Sequence, residues 1–155
     1  MTHSSGTPIY QVSRLGPSDR ERAGELFALM ANVFEEERAP LGDAYLQSIL
    51  ANPTFFALAA FHDNTLVGGA TAHVLPMTRA AHAELFLYDI ATHPDHQRRG
   101  VGRALLDSLR RHAHDAGINQ IFVLADEEDT HALDFYQALG GVPSRVVLFT
   151  LGEDK

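Results

Sequence analysis

The chain has 155 residues, a net charge of -8 and an apolar fraction of 45%, which suffices for the hydrophobic core of one domain. It contains no cysteine, so disulfides, cysteine-ligated zinc and thiol nucleophiles are excluded. Lys155 is the only lysine, whereas a duplex nucleic-acid binder needs a dense cationic surface. The acidity favours small cations, polyamines or basic peptides as ligands, and the alternative is that it serves solubility alone.

The sequence predicts neither a leader nor a membrane segment. Residues 1–7 are polar and small, without the basic and apolar regions of a signal peptide, and we expect them to be flexible. No apolar run approaches transmembrane length. We therefore expect a single domain over residues 1–155, located in the cytoplasm, with no membrane or nucleic-acid partner.

Hydrophobic periodicity and turn residues predict ten elements in the order β-α-α-β-β-β-α-β-α-β. The strands are expected at residues 9–15, 54–61, 65–75, 83–92, 120–125 and 142–151. The helices are expected at residues 19–36, 43–51, 101–116 and 130–139, the last capped by Thr130. The strand at 83–92 is nearly all apolar, as in a central strand covered on both faces. This order predicts an α/β (α+β) sandwich around one mixed sheet.

A glycine-containing turn at residues 97–102 lies between that strand and the third helix. Gly100 and Gly102 carry no Cβ atom, so a ligand can approach the backbone closely. The first N–H groups of the helix are unpaired and lie at the positive end of its dipole. With Arg98 and Arg99 beside them, these groups predict an anion site suited to a pyrophosphate. The turn is neither a dinucleotide-binding fingerprint nor a Walker loop.

Residues 89–106, DIATHPDHQRRGVGRALL, resemble the acetyl-CoA motif of the GNAT superfamily of N-acetyltransferases. Residues 132–140, ALDFYQALG, are similar to that family's second signature, and the order of elements also fits. The resemblance implies a mixed, mostly antiparallel sheet with a splayed central strand pair, flanked by about four helices. It also implies acetyl-CoA as the cosubstrate. The nine histidines contain no His-Glu-x-x-His pattern, so we expect no metal.

The resemblance places acetyl-CoA in the cleft between the splayed strands. Its pantetheine would pair with the backbone of Ile90, Ala91 and Thr92. Its pyrophosphate would bind the turn and helix start, at Gln97, Arg98, Arg99, Gly100, Val101, Gly102 and Arg103. This sequence departs from the family in two places. Thr92 stands where valine is more frequent, and Gly141 stands where a phenylalanine commonly follows the glycine, so we expect a differently shaped last loop.

Acyl transfer to an amine needs a neutral amine, a hydrogen-bond donor for the thioester oxygen and a proton for the leaving thiolate. Tyr136 matches the family tyrosine that supplies this proton, and the alternative is a packing residue on its helix. The oxygen donor would be a backbone N–H group near Ile90. The group still to be assigned is the one that binds the amine and removes its proton.

Glu84 and Asp89 interrupt an otherwise apolar strand, where an unpaired charge is costly. Their opposite strand parity predicts that they face opposite sides of the sheet. Asp89 directly precedes the cofactor segment and is our first candidate for acceptor binding. Glu84 lies six residues before Ile90, where some members of the family carry a general-base glutamate. For each carboxylate, structural pairing with an arginine is the alternative.

Two acidic runs are candidates for binding a cationic substrate. Residues 35–37 lie at the break between the first two helices, which is on the acceptor side in the family's fold. The second run follows a buried strand, where sheet folds often place ligand sites, and could equally be a solvated loop. Together they would favour a polycationic substrate. The second run consists of Asp126, Glu127, Glu128 and Asp129.

Residues 55–61, 73–76, 84–91 and 125–126 together resemble the aminoglycoside 3-N-acetyltransferases of the gentamicin and fortimicin type. This similarity spans about residues 15–151 and implies acetylation of the 3-amino group of 2-deoxystreptamine, which confers antibiotic resistance. Two alternatives stay open: an acetyltransferase for a polyamine, metabolite or protein N-terminus, and a non-catalytic acyl-CoA-binding module. Members of the family are often dimers, so a homodimer is a further expectation.

Overall fold

Five strands form one sheet in the computed structural model, which describes residues 9–153. The strands lie in chain order across the sheet, and all neighbours are antiparallel except the parallel fourth and fifth. The flexibility predicted for residues 1–7 lies outside the described residues. The strands are β1 (Gln11–Arg14), β2 (Phe55–His62), β3 (Thr65–Pro76), β4 (Ala83–Thr92) and β5 (Ile121–Val123). The helices are α1 (Arg20–Val33), α2 (Asp43–Ala51), α3 (Val101–Asp115) and α4 (Thr130–Ala138).

The β2–β3 hairpin is closed by a two-residue turn at Asp63 and Asn64. Both residues have positive φ, 48° and 66°, which matches the right-handed twist of the flanking strands and suits short polar side chains. The turn sets the register in which His62 pairs with Thr65. The strands predicted at residues 54–61 and 65–75 are thus joined as an antiparallel hairpin.

The two faces of the sheet are covered by different helices. Ala57 and Ala59 of β2 belong to the core cluster that contains residues of α1 and α2. Phe56, which points to the opposite face, contacts the His112 ring of α3 at 5.9 Å between centroids. The sheet thus lies between a layer of two helices and a layer of one. This arrangement is the predicted α/β sandwich, with the mostly antiparallel mixed sheet of the GNAT fold.

Helix α1 ends at Val33 and not at residue 36 as predicted. Glu35 adopts a left-handed conformation with φ of 55°, and the Glu36 N–H group donates to the Ala31 carbonyl at 2.9 Å. This hydrogen-bonding pattern is that of a helix C-cap. The helix was predicted too long because hydrophobic spacing carries no information about a backbone cap of this kind. The cap also fixes the backbone of the first acidic run.

Residues 125–153 form a compact unit of their own, separate from the unit that ends at residue 124. Helix α4 begins at Thr130, whereas its cap is Asp129, whose side chain accepts from the Ala132 N–H group at 3.1 Å. The predicted cap at Thr130 was wrong by one residue, because an Asp carboxylate reaches the same N–H groups. The helix ends at Ala138, and Gly140 follows with φ of 94°, the left-handed conformation that commonly closes a helix.

The strand predicted at residues 142–151 is absent, and this prediction was wrong. These residues are described as neither helix nor strand, and each is exposed. The apolar pattern of the segment is that of a strand, but a strand also needs a hydrogen-bonded neighbour. Within its own unit, residues 125–153, no strand is present beside the segment. We call residues 142–151 the C-terminal arm.

Candidate functional site: a diverging strand, an anion-binding turn and a carboxylate pair

Strands β4 and β5 pair over a short stretch and then diverge. Their parallel ladder runs only from Leu85–Ile121 to Leu87–Val123. On its other side β4 stays paired with β3 as far as Thr92. In the described part of the chain, residues 88–92 therefore have no strand neighbour on the β5 side. The backbone groups along this free edge can pair with an extended ligand that carries amides.

The free edge contains the residues that sequence analysis assigned to pantetheine. Ile90 and Thr92 are half-buried and Ala91 is buried, so their backbone is held firmly by the sheet. Ala91 belongs to the core cluster below α1. A rigid strand that offers unpaired N–H and carbonyl groups on one side only is a suitable template for a linear ligand. The structure thus brings these three residues together at one edge.

The turn after β4 presents the start of α3 as an anion site. Gly100 caps the helix with φ of 97°, a left-handed conformation that strongly favours glycine. The N–H groups of Val101, Gly102 and Arg103 belong to the first helical turn, which offers them no carbonyl partner within the helix. They lie at the positive end of the helix dipole. The site has the donors and the charge that a pyrophosphate requires.

A close contact fixes this helix start against the end of β4. A Cβ atom on Gly68 of β3 would lie 2.6 Å from the Ala91 carbonyl oxygen and 3.0 Å from a methyl group of Val101. Only glycine leaves room for β3, β4 and α3 to meet there. The His93 N–H group also donates to the Val67 carbonyl at 2.7 Å. The free strand edge and the anion site are therefore held in one fixed arrangement.

The cationic residues of the turn are at the surface. Arg98 has a left-handed backbone with φ of 62°, which bends the chain into the turn. Gln97 donates from its amide to the Thr92 carbonyl at 3.3 Å, so it braces the turn against the strand. The side chains of Arg98, Arg99 and Arg103 are exposed and can supply charge-assisted contacts to an anion at the helix start.

A β-bulge in β4 changes which residues share a face. Thr71 of β3 lies opposite Asp89, and the next residue, Ala72, lies opposite Leu87, so Tyr88 is the extra residue. Glu84 lies opposite Leu75. Because Thr71 and Leu75 are four residues apart on one strand, Asp89 and Glu84 lie on the same face of the sheet. The predicted opposite faces were wrong, since parity counting assumes an uninterrupted strand.

Asp89 lies in a half-buried acidic environment at the start of the free edge. Burial raises the pKa of the Asp89 carboxyl above its ordinary value, the charge of Glu36 raises it further, and His73 lowers it. Glu36 comes from the acidic run after α1, so that run does reach the sheet. No arginine among the described residues contributes to this shift. The charges that act on Asp89 therefore give no support to the alternative that it is paired with an arginine.

Two residues at this site escaped sequence analysis as functional candidates. The His73 ring contacts Tyr88 at 5.5 Å between centroids and Phe55 at 5.2 Å. Tyr88 is 59% exposed and is aimed by the bulge toward the face of Asp89. Together these rings form an aromatic wall next to the carboxylate. Tyr88 is placed beside Asp89 by the β-bulge, and no residue pattern in the sequence of β4 predicts a bulge.

The second unit carries the candidate tyrosine and the second acidic run. Tyr136 is half-buried on α4, with its ring 5.1 Å from that of Phe135. A Cβ atom on Gly141 would lie 2.8 Å from the Tyr136 carbonyl oxygen, and the Gly141 N–H group donates to that oxygen at 2.8 Å. In this backbone arrangement position 141 therefore leaves no room for a side chain.

The acidic run is exposed and has local partners. Asp126 accepts from the Glu128 N–H group at 3.0 Å, Asp129 caps α4, and a carboxylate oxygen of Glu127 lies 3.9 Å from an Arg145 nitrogen. These contacts give three of the four acidic residues a structural role within the unit. Their role in binding a substrate stays a prediction.

The described residues do not contain a metal site or a membrane-spanning helix. Over residues 9–153, no group of three or more His, Asp or Glu side chains could hold a metal ion. None of the helices in the same range is long and apolar enough to cross a membrane.

Residues 23–141 match the model of the Acetyltransferase (GNAT) family, and the chain belongs to this family. Two solved aminoglycoside acetyltransferases, each from an uncultured soil metagenomic sample, are similar over 94% of this chain. One is meta-AAC0020 in complex with sisomicin, 28% identical with a TM-score of 0.89 over 97% of that chain. The other is HMB0005, 30% identical with a TM-score of 0.87 over 99% of that chain.

A curated relative is also similar in sequence over a shorter region. The [Ribosomal protein bS18]-alanine N-acetyltransferase of Escherichia coli (strain K12) is 33% identical over 64 residues, which is 41% of this chain. The chain covers 43% of the length of that relative. The names of these relatives specify different acceptors: aminoglycosides for the two solved structures, and an alanine of a ribosomal protein for the curated relative.

Proposed function

We propose that this chain is an acetyl-CoA-dependent N-acetyltransferase that acetylates the 3-amino group of 2-deoxystreptamine aminoglycosides of the gentamicin type. It would act in the cytoplasm and confer resistance by modifying the drug. The observation that carries the proposal is the half-buried Asp89 carboxylate at the start of the free β4 edge, together with the Glu36 carboxylate, whose negative charge acts on it. Aminoglycosides are polycations, and such a pair suits them. A similar structure contains the aminoglycoside sisomicin.

The residues present fit acetyl-CoA. Its pantetheine carries amides that can pair with the free edge at Ile90, Ala91 and Thr92. Its pyrophosphate matches the N–H groups at the start of α3 and the arginines of the turn. The left-handed Gly100 and the closely packed Gly68 fix the backbone of this arrangement. When bound, acetyl-CoA supplies the activated acetyl thioester.

The reaction forms a bond between the amine nitrogen and the acetyl carbon and breaks the carbon–sulfur bond. Asp89 would bind the ammonium form of the acceptor and take its proton, because a raised pKa makes a carboxylate a better base. A backbone N–H group near Ile90 would stabilise the oxyanion. Tyr136 would give a proton to the leaving thiolate.

Asp89 is favoured over Glu84 as the acceptor carboxylate. Both lie on the same face, but Glu84 precedes the section paired with β5, whereas Asp89 follows it. Their separation along the strand is roughly 15 Å at about 3.3 Å per residue. Only Asp89 therefore lies beside the edge at which the thioester would be presented.

Thiol release from acetyl-CoA tests the proposal, and the chain has no cysteine to disturb a thiol reagent. The acceptors are gentamicin, spermidine and a short peptide with an N-terminal alanine. Release with gentamicin, with the acetyl group on the 3-amino nitrogen by NMR, supports the proposal. Acetylation at another amine of the drug refutes the 3-N assignment. Release with spermidine or the peptide alone assigns another acceptor class, and release with none despite acetyl-CoA binding indicates a non-catalytic module.

A further inference from the structure

Three aromatic rings from separate segments of the chain pack together beside the turn at residues 93–100, which leads from β4 to α3. Tyr10 lies directly before β1, His62 is the last residue of β2, and His96 lies in the turn itself. The Tyr10 ring centroid lies 5.6 Å from that of His62 and 6.3 Å from that of His96, and the two histidine centroids are 5.8 Å apart. Each ring therefore contacts both others, and we call these three residues the ring cluster.

The contacts within the ring cluster are packing contacts. Its rings meet at angles between 53° and 82°, the tilted and edge-to-face arrangements that aromatic pairs prefer. The Tyr10 hydroxyl, the His62 Nδ1 atom and the His96 Nδ1 atom are buried and have no hydrogen-bond partner among the described residues. An apolar ring of similar size could thus keep the contacts that a histidine makes in this cluster.

The ring cluster attaches the turn to strands that are not its neighbours in the sheet. The turn follows β4, whereas β1 and β2 lie beyond β3 in the sheet order. Gln11 pairs with Phe61, and the next residues outward along these two strands are Tyr10 and His62. Their rings lie side by side at the end of the strand pair, and the His96 ring packs against both.

The backbone of the turn is closely hydrogen-bonded around His96. The His96 N–H group donates to the His93 carbonyl at 2.8 Å, and the His93 N–H group donates to the Val67 carbonyl of β3 at 2.7 Å. The Asp95 N–H group donates to the His93 Nδ1 atom at 3.1 Å. A displacement of the His96 ring would therefore be transmitted to the backbone that enters the anion site.

The segment between the ring cluster and α3 is short and sharply bent. Three residues separate His96 from Gly100, the N-cap of α3. Arg98 and Gly100 both have positive φ, 62° and 97°. At the far end, Val101 meets the glycine at position 68, where an added Cβ would lie 3.0 Å from its methyl group. Both ends of the segment that carries the anion site are thus anchored, one by the ring cluster and one by this close contact.

We propose that His96 is a positioning residue for acetyl-CoA, which acts through Tyr10 and His62 to hold the turn in the conformation that binds the pyrophosphate. This inference rests on the proposed acetyl-CoA site and adds a determinant outside it, since the three rings are not among the residues assigned to the coenzyme. An anion site that is already ordered binds more tightly, because the turn need not be ordered when the ligand binds. Loss of the ring cluster should therefore weaken acetyl-CoA binding.

Titration calorimetry with acetyl-CoA, in the absence of any acceptor, tests this inference. His96→Ala is expected to weaken acetyl-CoA binding by about 10-fold or more, as for the loss of one charge-assisted hydrogen bond. His96→Phe should recover most of the affinity, since it restores a ring to the cluster. His114→Ala is the matched control and should keep the parent affinity, because that side chain is 89% exposed near the end of α3.

The fitted stoichiometry separates mispositioning of the turn from loss of folding. A partly unfolded variant lowers the number of sites, whereas a mispositioned turn lowers the affinity of an unchanged number of sites, which is the expected result for His96→Ala. Equal affinity in the parent and His96→Ala chains, a lower number of sites at unchanged affinity, or no recovery with His96→Phe would each refute the inference alone. A parent chain that does not bind acetyl-CoA would overturn the proposed function as well.

A double-mutant cycle shows whether His96 acts through Tyr10. Tyr10→Leu and His96→Ala should each weaken acetyl-CoA binding, and the double variant should bind about as weakly as the weaker single variant, because effects of residues in one contact network do not add. Additive losses of binding free energy in the double variant would show that the two residues act independently, which contradicts the proposed route from the ring cluster to the turn.

Discussion

The negative charge of Glu36 acts on the carboxyl group of Asp89: burial raises the pKa of Asp89, and Glu36 raises it further. The relationship joins β4 to the acidic run after α1, which are 53 residues apart in the sequence and meet through the fold alone. The folded state therefore holds two like charges close together at the candidate acceptor site. A cationic acceptor would relieve this repulsion, and several consequences can be measured.

Asp89→Asn is expected to weaken acetylation and to stabilise the fold. Because burial and Glu36 raise the pKa of Asp89, the stability contributed by its protonated form is present at low pH and is lost as pH rises through the folded pKa. At neutral pH the variant should show a Tm higher by about 2 °C. Its kcat/KM should fall by about 100-fold or more.

Glu84→Gln is the matched control for Asp89→Asn, since it changes a carboxylate on the same face outside the free edge. It should retain most of the activity. A larger loss of kcat/KM in the Glu84 variant than in the Asp89 variant would reverse the assignment of the two carboxylates.

Gly100→Ala is expected to destabilise the chain by about 1 kcal/mol, because a Cβ atom is strained in the left-handed conformation. The φ of Gly100 is 97°, so the strain should distort the helix start and weaken acetyl-CoA binding. Chemical denaturation and calorimetric titration measure the two effects. Gly24→Ala in α1 is the control, since its new Cβ would have no neighbour closer than 4.0 Å. Equal acetyl-CoA affinity in parent and Gly100→Ala chains would contradict the anion-site assignment.

Tyr136→Phe is expected to lower kcat by about 10-fold to 100-fold while acetyl-CoA affinity stays unchanged. The ring stays in place against Phe135, so packing on α4 is retained and only the hydroxyl is lost. Steady-state kinetics and acetyl-CoA titration separate the two effects. An unchanged kcat would remove Tyr136 from the proton-donor role and leave it as a packing residue.

Asp126→Asn removes one charge from the second acidic run without removing its turn. The side-chain oxygen that accepts from the Glu128 N–H group at 3.0 Å is also present in asparagine. We expect a several-fold rise in the KM for gentamicin at low salt, and a smaller rise at high salt because exposed charges are screened. The measurement is the acceptor KM at two ionic strengths. The same KM in both chains would show that this run does not contribute to drug binding.

His112→Gln is expected to flatten the loss of stability in mild acid. Burial lowers the pKa of His112, the nearby charge of Arg14 lowers it further, and Asp115 raises it. A His with a lowered folded pKa loses stability as pH falls below its ordinary value of about 6.5. The parent chain should lose about 2 °C more in Tm than the variant between pH 7 and pH 5. Parallel Tm profiles would exclude His112 as a cause.

Much of the cofactor side could be predicted because its signals are local. The bounds predicted for β4, residues 83–92, are those observed, since a nearly continuous apolar run between turns leaves little ambiguity. The turn that ends at Gly100 was also predictable, because glycine and the helix start act within a few residues. The acceptor side depends on the bulge at Tyr88 and on Glu36, and neither can be read from the residues adjacent to Asp89.

The sequence by itself determined the order of the first nine elements, the candidate anion site at the start of α3 and the candidate carboxylates. Each of these follows from spacing and residue type within one segment. The tertiary structure decided which carboxylates share a face and where the β4 edge becomes free. It also assigns neither helix nor strand to the C-terminal arm, where the apolar pattern predicted a strand. The physical reason is that a face, an edge or a ladder is a relation between strands, and hydrophobic periodicity describes only one strand at a time.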